Sequence, residues 1–220
     1  MANRPERRRK MIKKNWKTLL VTSIVILLPI VAGLLLWNKL PSEMPTHWNA
    51  EGVVDDHSSK AFAVFGLPLI LLAAQWLCTL GTCADPKKAN HPQKVLHLVL
   101  WIIPVLGIVL STITYMAALG KPVHIEVIMP VLIGLIFTII GNYMPKCKQN
   151  YTIGIKIPWT LNSEENWNRT HRFAGILWVI CGILIMLTGI FGGFWIFLGV
   201  VLLLVAAPMI YSYILHRRGV

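Results

Sequence analysis

Long stretches without charge alternate along the chain with short clusters of charged residues. Asp, Glu, Lys and Arg are absent from residues 18–38, 61–84, 95–120, 127–145 and 173–216. A helix that crosses roughly 30 Å of hydrocarbon needs about 20 apolar residues, so each of the first four stretches can hold one crossing. The fifth stretch is long enough for two crossings, and Gly189, Gly192 and Gly193 permit a tight turn between them.

This pattern predicts an all-α integral membrane protein, a bundle of six transmembrane helices in a single membrane domain of residues 1–220. The expected spans are residues 18–38, 61–80, 95–119, 125–143, 172–190 and 194–214. The composition agrees, because 55% of the residues are hydrophobic and only 14% are charged. An average soluble domain carries about a quarter of charged residues, so a soluble class is excluded.

The basic residues predict the orientation of the bundle. Of the 21 lysines and arginines, all except Lys39, Lys60 and Lys121 lie in the N-terminal tail, loop 81–94, loop 144–172 or the C-terminal tail. The positive-inside rule places these segments, and so both termini, in the cytoplasm. The net charge of +12 then indicates contact with anionic membrane lipid. Direct binding of nucleic acid is not expected, because the basic N-terminal run adjoins a transmembrane helix.

Two connections are long enough to hold ordered structure. In the outer loop 40–60, Pro41, Pro45 and Gly52 predict an ordered set of turns. In the inner loop 144–172, partly alternating residues from Asn150 predict a short extended segment before Pro158. The sequence Asn162-Ser-Glu-Glu165 resembles a capping box, which predicts a helix capped by Asn162 that continues into the fifth span. That helix would carry Trp167 and His171 on one face.

Small residues and prolines indicate how the spans are built. Gly175, Gly182 and Gly189 recur every seven residues, which predicts a stripe where a neighbouring helix approaches closely. Prolines occur in the second, third, fourth and sixth spans, where each removes a backbone donor and favours a kink; they are Pro68, Pro104, Pro130 and Pro208.

Candidate chemistry is sparse. The predicted outer face offers imidazoles and carboxylates without a recognised metal-ligand spacing, at His47, Asp55, Asp56, His57, His124 and Glu126. The four cysteines also lack metal or redox spacing, and we expect free thiols. Gln75, His97 and Asn142 are the strongly polar residues within the spans. We predict no catalytic residue, no metal and no other cofactor, since no nucleophile motif or phosphate-binding motif occurs in the sequence.

Two segments resemble SdpI-like bacterial membrane proteins. The first is Leu40-Pro-Ser-Glu-Met-Pro-Thr-His-Trp-Asn-Ala-Glu-Gly52, which is similar to the extracytoplasmic module of that family. The second covers residues 141–175 and holds Gly141-Asn-Tyr-Met-Pro-Lys146, Asn150-Tyr-Thr-Ile-Gly-Ile-Lys-Ile-Pro-Trp-Thr-Leu161 and Trp167-Asn-Arg-Thr-His-Arg-Phe-Ala-Gly175. These are similar to the family's C-terminal signature, and the six expected spans fit a family member.

The resemblance implies a role rather than a reaction. The founding member protects a cell against a secreted antimicrobial peptide and also signals by holding a soluble repressor at the membrane. It implies a bacterial cell membrane location and an immunity role for this chain, with the toxin and the repressor as expected partners. The positions carried over in the outer module are Pro45, His47, Asn49 and Gly52. Those in the inner signature are Asn142, Asn150, Gly154, Lys156, Pro158, Trp159, Thr160, Trp167, His171 and Arg172.

Two readings of these positions stay open. The signature residues can act on a partner, with His171 and Arg172 as the strongest candidates for contact with a partner or a lipid phosphate. They can also simply fold their loops. One departure bears on the first reading: the family commonly has Arg where this chain has Lys156, and Lys cannot make the same two-pronged contact with a carboxylate. An exporter of amphiphilic peptides is the alternative function, and a membrane-embedded hydrolase that uses His47 or His171 is a third.

Overall fold

The computed structural model describes residues 4–87 and 92–220. Lys88, one of the basic residues assigned to the cytoplasmic loop, lies outside this range. Within the described residues, six helices are long and apolar enough to cross a membrane: Ile12–Leu35, Phe62–Ala84, Gln93–Ala118, Ile125–Lys146, Glu164–Phe191 and Phe194–Arg217. The predicted six-helix membrane architecture is therefore confirmed.

The elements follow one another along the chain with short connections. They are α1 (Arg4–Leu35), β1 (Glu43–Trp48), β2 (Val54–Ser59), a π-helical turn (Phe62–Gly66), α2 (Leu67–Ala84), α3 (Gln93–Ala118), α4 (Ile125–Tyr143), a 3-10 turn (Met144–Lys146), α5 (Pro158–Asn162), α6 (Glu164–Phe191) and α7 (Phe194–Arg217). By packing, the chain divides into two units. The first comprises the chain up to Ala84 together with Leu96–Ile125, and the second comprises Asp85–Val95 together with Glu126–Val220.

In the first unit, α1 packs against the π-helical turn before α2 and against the end of α3. Gly33 permits this contact, because a Cβ there would lie 2.7 Å from Val64 and 2.8 Å from the Tyr115 hydroxyl. That hydroxyl donates a 3.0 Å hydrogen bond to the Pro29 carbonyl. Pro29 lies inside α1, a fifth span proline beyond the four singled out from the sequence. Nearer the other end of α1, Leu19 packs with two leucines of α3, Leu96 and Leu100.

The outer loop folds as an antiparallel β-hairpin of β1 and β2. Met44 and Pro45 of β1 are buried, and Met44 joins an apolar cluster with Leu40, Val64 and Tyr115. The predicted order in this loop is confirmed, but the strands themselves were not predicted. Their signal is weak, because Pro45 interrupts β1 and the register shifts twice between Pro45 and Trp48. The strand pairing depends on the apolar residues beneath it.

In the second unit, the predicted glycine stripe of α6 faces α4. A Cβ on Gly175 would lie 2.9 Å from the Gly141 carbonyl oxygen, and one on Gly182 would lie 2.6 Å from the Gly134 carbonyl oxygen. The third member, Gly189, approaches the Val127 carbonyl to 2.9 Å in the same way. The stripe therefore allows the backbones of α6 and α4 to approach closely, as its spacing predicted.

Helices α6 and α7 form a tight helical hairpin. Gly192 and Gly193 make the turn with φ values of 80° and 118°, which confirms the predicted reversal there. Away from the turn, Cys181 and Ile185 of α6 pack against Leu204 of α7 in a buried cluster. The four cysteines, all within the described residues, form no disulfide with one another.

Two local predictions for the inner loop were wrong. Where a short extended segment was predicted, residues 151–154 form bends and residues 155–157 are irregular, because side chains rather than a neighbouring strand bind the backbone. The cap of α6 is Ser163, whose side chain accepts from the Asn166 amide at 3.1 Å. Asn162 instead ends the short helix α5. The prediction that one helix continues through Trp167 and His171 into the fifth span is confirmed.

Candidate functional site

The turn of the outer hairpin is built by two residues of the outer module. The Asn49 side-chain oxygen accepts from the amides of Glu51 and Val53 at 3.1 and 2.9 Å. Gly52 adopts a φ of 77° and donates to the Asn49 carbonyl at 3.0 Å. A residue with a side chain rarely adopts such a φ. Asn49 and Gly52 therefore hold the hairpin turn in shape.

The exposed face of the hairpin carries a histidine–aspartate pair. His47 Nδ1 lies 2.6 Å from Asp55 Oδ1, and the two side chains are 67% and 42% exposed. Pro45, by contrast, is buried beneath the hairpin. Of the four positions in the outer module, His47 and Asn49 are exposed, and the Asn49 side-chain oxygen is already bound within the turn, so His47 is the stronger candidate for contact with a partner. Among the described residues, no group of three or more His, Cys, Asp or Glu could hold a metal ion.

In the inner loop, the side chain of Asn150 binds the backbone through both its oxygen and its nitrogen. The Asn150 oxygen accepts from the Thr152 and Ile153 amides at 2.9 and 2.7 Å. Its nitrogen donates to the Lys148 and Ile153 carbonyls, at 2.8 Å each. Asn150 is 2% exposed, so its whole hydrogen-bonding capacity serves the loop.

A buried carboxylate outside the sequence signature fastens the same segment. Asp85 is 3% exposed, and its Oδ2 accepts from the Tyr151 amide and the Thr152 hydroxyl at 2.9 Å each. Its Oδ1 accepts from the Lys87 amide at 2.7 Å. The Lys87 ammonium in turn donates to the Gln149 side chain, whose nitrogen donates to the Thr160 and Leu161 carbonyls. Within the second unit, Asp85 and Lys87 are therefore tied to the signature loop.

We name Asp85, Lys87, Gln149 and Thr152 the loop clasp. Sequence reasoning missed it, although one signal was available: Asp85 is a lone acid in a loop whose other charged residues, Lys87, Lys88 and Lys94, are all basic. Such an acid is a candidate for internal hydrogen bonding rather than for contact with the lipid surface.

Three signature residues stack together at the start of α6. The Trp167 and His171 rings lie 3.9 Å apart between centroids and are nearly parallel. Gly154 lies against both, because a Cβ there would be 2.5 Å from His171 Nε2 and 3.0 Å from the Trp167 ring. The Trp167 indole also donates to the Cys147 carbonyl at 2.7 Å. These contacts confirm that Trp167 and His171 share one face, and they show that this face is buried.

Both nitrogens of His171 are committed to the backbone. Its Nε2 accepts from the Ile155 amide at 3.0 Å, and its Nδ1 lies 2.8 Å from the Trp167 carbonyl oxygen. An acceptor at Nε2 and a carbonyl at Nδ1 together require the neutral tautomer with its proton on Nδ1. At 1% exposure, His171 folds the loop in this structure and has no surface for a partner or a lipid phosphate. The sequence-based preference for such contact is corrected for His171, whereas its neighbour Arg172 is exposed.

The remaining signature residues surround the short helix α5. Pro158 opens it, and the Thr160 hydroxyl donates to the Ile155 carbonyl at 2.7 Å. The Trp159 ring lies 5.1 Å from Tyr213 and 6.1 Å from His216, both on α7. Lys156 donates to the Thr152 carbonyl at 2.8 Å but is otherwise exposed. Among the ten inner positions, the exposed residues are Asn142, Lys156, Pro158 and Arg172, while Trp159 is partly buried.

Another polar group that the sequence did not flag joins α6 to α7. Asn166 is fully buried, and its nitrogen donates to the Ser212 and Val220 carbonyls at 3.0 and 3.3 Å. Its oxygen accepts from the Ser212 and Thr170 hydroxyls at 2.6 and 3.1 Å. The start of α6, the end of α7 and the C-terminal carbonyl are thus bound by one amide. The second unit presents an ordered polar cap at this end of its helices.

Burial changes the reactivity of the cysteine in this cap. It raises the pKa of the Cys147 thiol to about 11, because the thiolate would lose its hydration. Only the thiolate is a good nucleophile or metal ligand, so Cys147 is expected to be unreactive near neutral pH.

Six apolar helices, an ordered β-hairpin after the first and an internally bonded loop before the fifth define a multi-pass membrane protein with two structured extramembrane elements. The sequence model of the SdpI/YfhL protein family matches residues 146–212, from the inner loop through most of α7. A domain of unknown function, DUF1648, matches residues 24–72, which include the hairpin. The chain is thus a multi-pass bacterial membrane protein.

A curated relative extends the likeness along nearly the whole chain. The immunity protein SdpI of Bacillus subtilis (strain 168) is 29% identical over 202 residues, which cover 90% of this chain and 92% of the relative. This homology supports an immunity function. No solved structure matches the chain.

Proposed function

We propose that the chain protects a bacterial cell against a secreted antimicrobial peptide that acts on the membrane. The observation that carries this proposal is the 29% identity to an immunity protein over 90% of the chain. The matched length includes both extramembrane elements, so the likeness is not confined to apolar helices, which resemble one another in composition alone. Apolar side chains exposed along the six helices place the chain in lipid, where such a peptide acts.

Survival of toxin-sensitive bacterial cells that express the chain tests this proposal. We expect protection against at least one member of a panel of membrane-active peptides, measured as the peptide concentration that halves survival. Cells with an empty vector provide the baseline. Unchanged killing by the whole panel, with the chain present in the membrane, would contradict the immunity role.

In this proposal, the hairpin faces outward and takes part in recognising the peptide. The exposed His47–Asp55 pair supports it, because it offers a polar, partly charged surface beside the membrane. His47→Ala should weaken protection several-fold, whereas His57→Ala, at another exposed histidine of the same hairpin, is the matched control. Equal protection by both variants and the parent would remove His47 from the recognition surface.

We further propose that the inner cap signals by holding a soluble repressor at the membrane. Exposed Arg172 and Lys156 lie beside the rigid loop and suit a partner with an acidic surface. A tagged chain should then retain a soluble protein after toxin exposure, and Arg172→Ala should release it. If the parent retains no soluble protein under either condition, the signalling role is wrong while the immunity role stands.

Export of amphiphilic peptides is the second candidate function. Prolines inside α1, α3, α4 and α7 favour it, since a missing backbone donor lets a membrane helix bend during transport. Proteoliposomes loaded with a labelled peptide discriminate the two functions. Movement of the label across the bilayer would favour export, and binding without movement would favour immunity by capture.

We propose that protection does not involve a reaction. His171 is buried with both nitrogens bound to the backbone, and His47 is paired with Asp55, so neither stands beside a nucleophile as hydrolysis needs. Toxin recovered intact after long incubation with the purified chain is the expected result. Cleaved peptide would instead support the hydrolase.

A further inference from the structure

A glutamine lies near the middle of the second membrane span. Gln75 belongs to the span Phe62–Ala84, and it meets Thr22 of the span Ile12–Leu35. Gln75 is 1% exposed and Thr22 is 0% exposed. Hydrocarbon offers no water to such a pair, so each of its polar atoms needs a partner inside the protein or from a bound molecule.

The orientation of the Gln75 amide follows from its neighbour. The Thr22 hydroxyl donates its proton to the Leu19 carbonyl at 3.2 Å, so its oxygen can only accept. The group that lies 2.6 Å from it is therefore the Gln75 nitrogen. The amide oxygen, Oε1, must point away from Thr22. Within residues 4–87 and 92–220, no protein donor reaches that buried oxygen.

Other polar groups in α2 are satisfied locally, which makes Gln75 the exception. Thr79 donates to the Gln75 carbonyl and Thr82 to the Cys78 carbonyl, each at 2.8 Å along the same helix. The other buried side-chain oxygens without a protein partner in the described chain are the hydroxyls of Ser23 and Ser111. Ser23 belongs to α1 and Ser111 to α3, and both lie in the same unit as Gln75. Among the described residues, the buried side-chain oxygens without a protein partner therefore all lie in the membrane helices of the first unit.

We propose that Gln75 Oε1 is a hydrogen-bond acceptor for a molecule that enters the first unit within the membrane. The chemistry that fits is a single N–H or O–H donor. Such a donor comes either from a resident water or from a backbone amide of a membrane-inserted peptide, which would have to displace the packing that leaves Gln75 only 1% exposed. The peptide source rests on the proposed immunity function, because the peptide would be the toxin. Intramembrane polar groups of this kind commonly mark functional sites.

Infrared spectroscopy of the full chain in lipid nanodiscs tests the acceptor directly. Glutamines carrying a ¹³C side-chain carbonyl occur at Gln75, Gln93 and Gln149, so subtracting the spectrum of Gln75→Met isolates the Gln75 band. A low-frequency band without peptide assigns the donor to resident water. A band that moves to low frequency only when a peptide against which the chain protects is added assigns the donor to that peptide. A high-frequency band under both conditions would overturn the proposal.

A protection assay tests whether the site matters to the peptide. Gln75→Met keeps the side-chain length and removes the buried acceptor, so the thermal unfolding midpoint should not fall, while protection should drop roughly tenfold, the effect of one lost hydrogen bond. Thr79→Val is the matched control, because its hydroxyl is satisfied within α2. Full protection by Gln75→Met, or a loss matched by an equal loss of stability, overturns the peptide source. If the parent itself protects against nothing, the proposed function fails, and the infrared result alone still decides the site.

Discussion

Gly154 has a φ of 123° and contacts the rings of His171 and Trp167, so two separate effects keep a side chain out. A Cβ would strain the backbone, and it would also push the His171 ring away from the Ile155 amide. The single residue therefore allows the stack and its hydrogen bond to form together. At the residue scale, Gly154, Trp167 and His171 of the signature therefore pack against one another and depend on one another's positions.

Gly154→Ala should lower the free energy of unfolding by about 2–4 kcal/mol, the sum of backbone strain and overpacking. Gly120→Ala separates the two effects, because Gly120 also has a positive φ, 68°, but nothing lies within 4 Å of its Cβ position. It should cost only about 1–2 kcal/mol. Denaturation of both purified variants in detergent measures the difference. Equal losses would show that the contact with His171 and Trp167 is unimportant.

Asp85 shows how one acid can set the shape of a distant loop. Its carboxylate accepts hydrogen bonds from the Lys87 and Tyr151 amides and from the Thr152 hydroxyl. Asp85→Asn places an N–H₂ group opposite a donor, which should cost about 1–3 kcal/mol and loosen residues 148–157. Limited proteolysis of the loop measures this. Asp56→Asn, at an exposed hairpin carboxylate, is the control. Equal cleavage of both variants would exclude the clasp as a determinant of loop order.

Helix α6 illustrates the scale of the element, because its start, its glycine face and its end have separate causes. Ser163 caps the first turn, the glycines of the stripe meet α4, and Gly192 and Gly193 reverse the chain. Periodicity predicted the face and the reversal. It could not choose between Asn162 and Ser163 as the cap, since both residue types cap well.

Ser163→Ala should destabilise the chain by about 0.5–2 kcal/mol, because the Asn166 amide loses its side-chain acceptor. Asn162→Ala should change stability by less than about 0.5 kcal/mol, because Asn162 is exposed at the end of α5. Thermal unfolding of the two alanine variants beside the parent compares these effects. A larger loss for Asn162→Ala would return the cap to the residue that the sequence pattern favoured.

For the whole molecule, the arrangement of basic residues predicts an outward hairpin and cytoplasmic termini. A chain with its four cysteines replaced by alanine can carry a single new cysteine at Val53→Cys in the hairpin turn or Lys148→Cys in the inner loop. A membrane-impermeant maleimide should label the first in intact cells and the second only after permeabilisation. The reverse pattern would invert the topology. The parent's Cys147 should label weakly throughout, since its pKa of about 11 keeps the thiol protonated.

The sequence by itself determined the class of the protein. The six spans, the reversal at Gly192 and Gly193 and the glycine stripe all follow from local length, charge and periodicity, which the bilayer constrains strongly. Family resemblance likewise pointed to the outer loop module and the inner signature. These features could be read because each depends on residues close together in the chain.

Only the tertiary structure decided what the polar residues do. Asp85 meets Thr152, Gln75 meets Thr22 and Asn166 meets Ser212 across large separations in the chain, and no periodic pattern encodes such pairs. The structure also moved His171 from a candidate contact residue to a buried support of the loop. The physical reason is the same in each case: a buried polar atom must find a partner, and only the packed chain determines which one lies within reach.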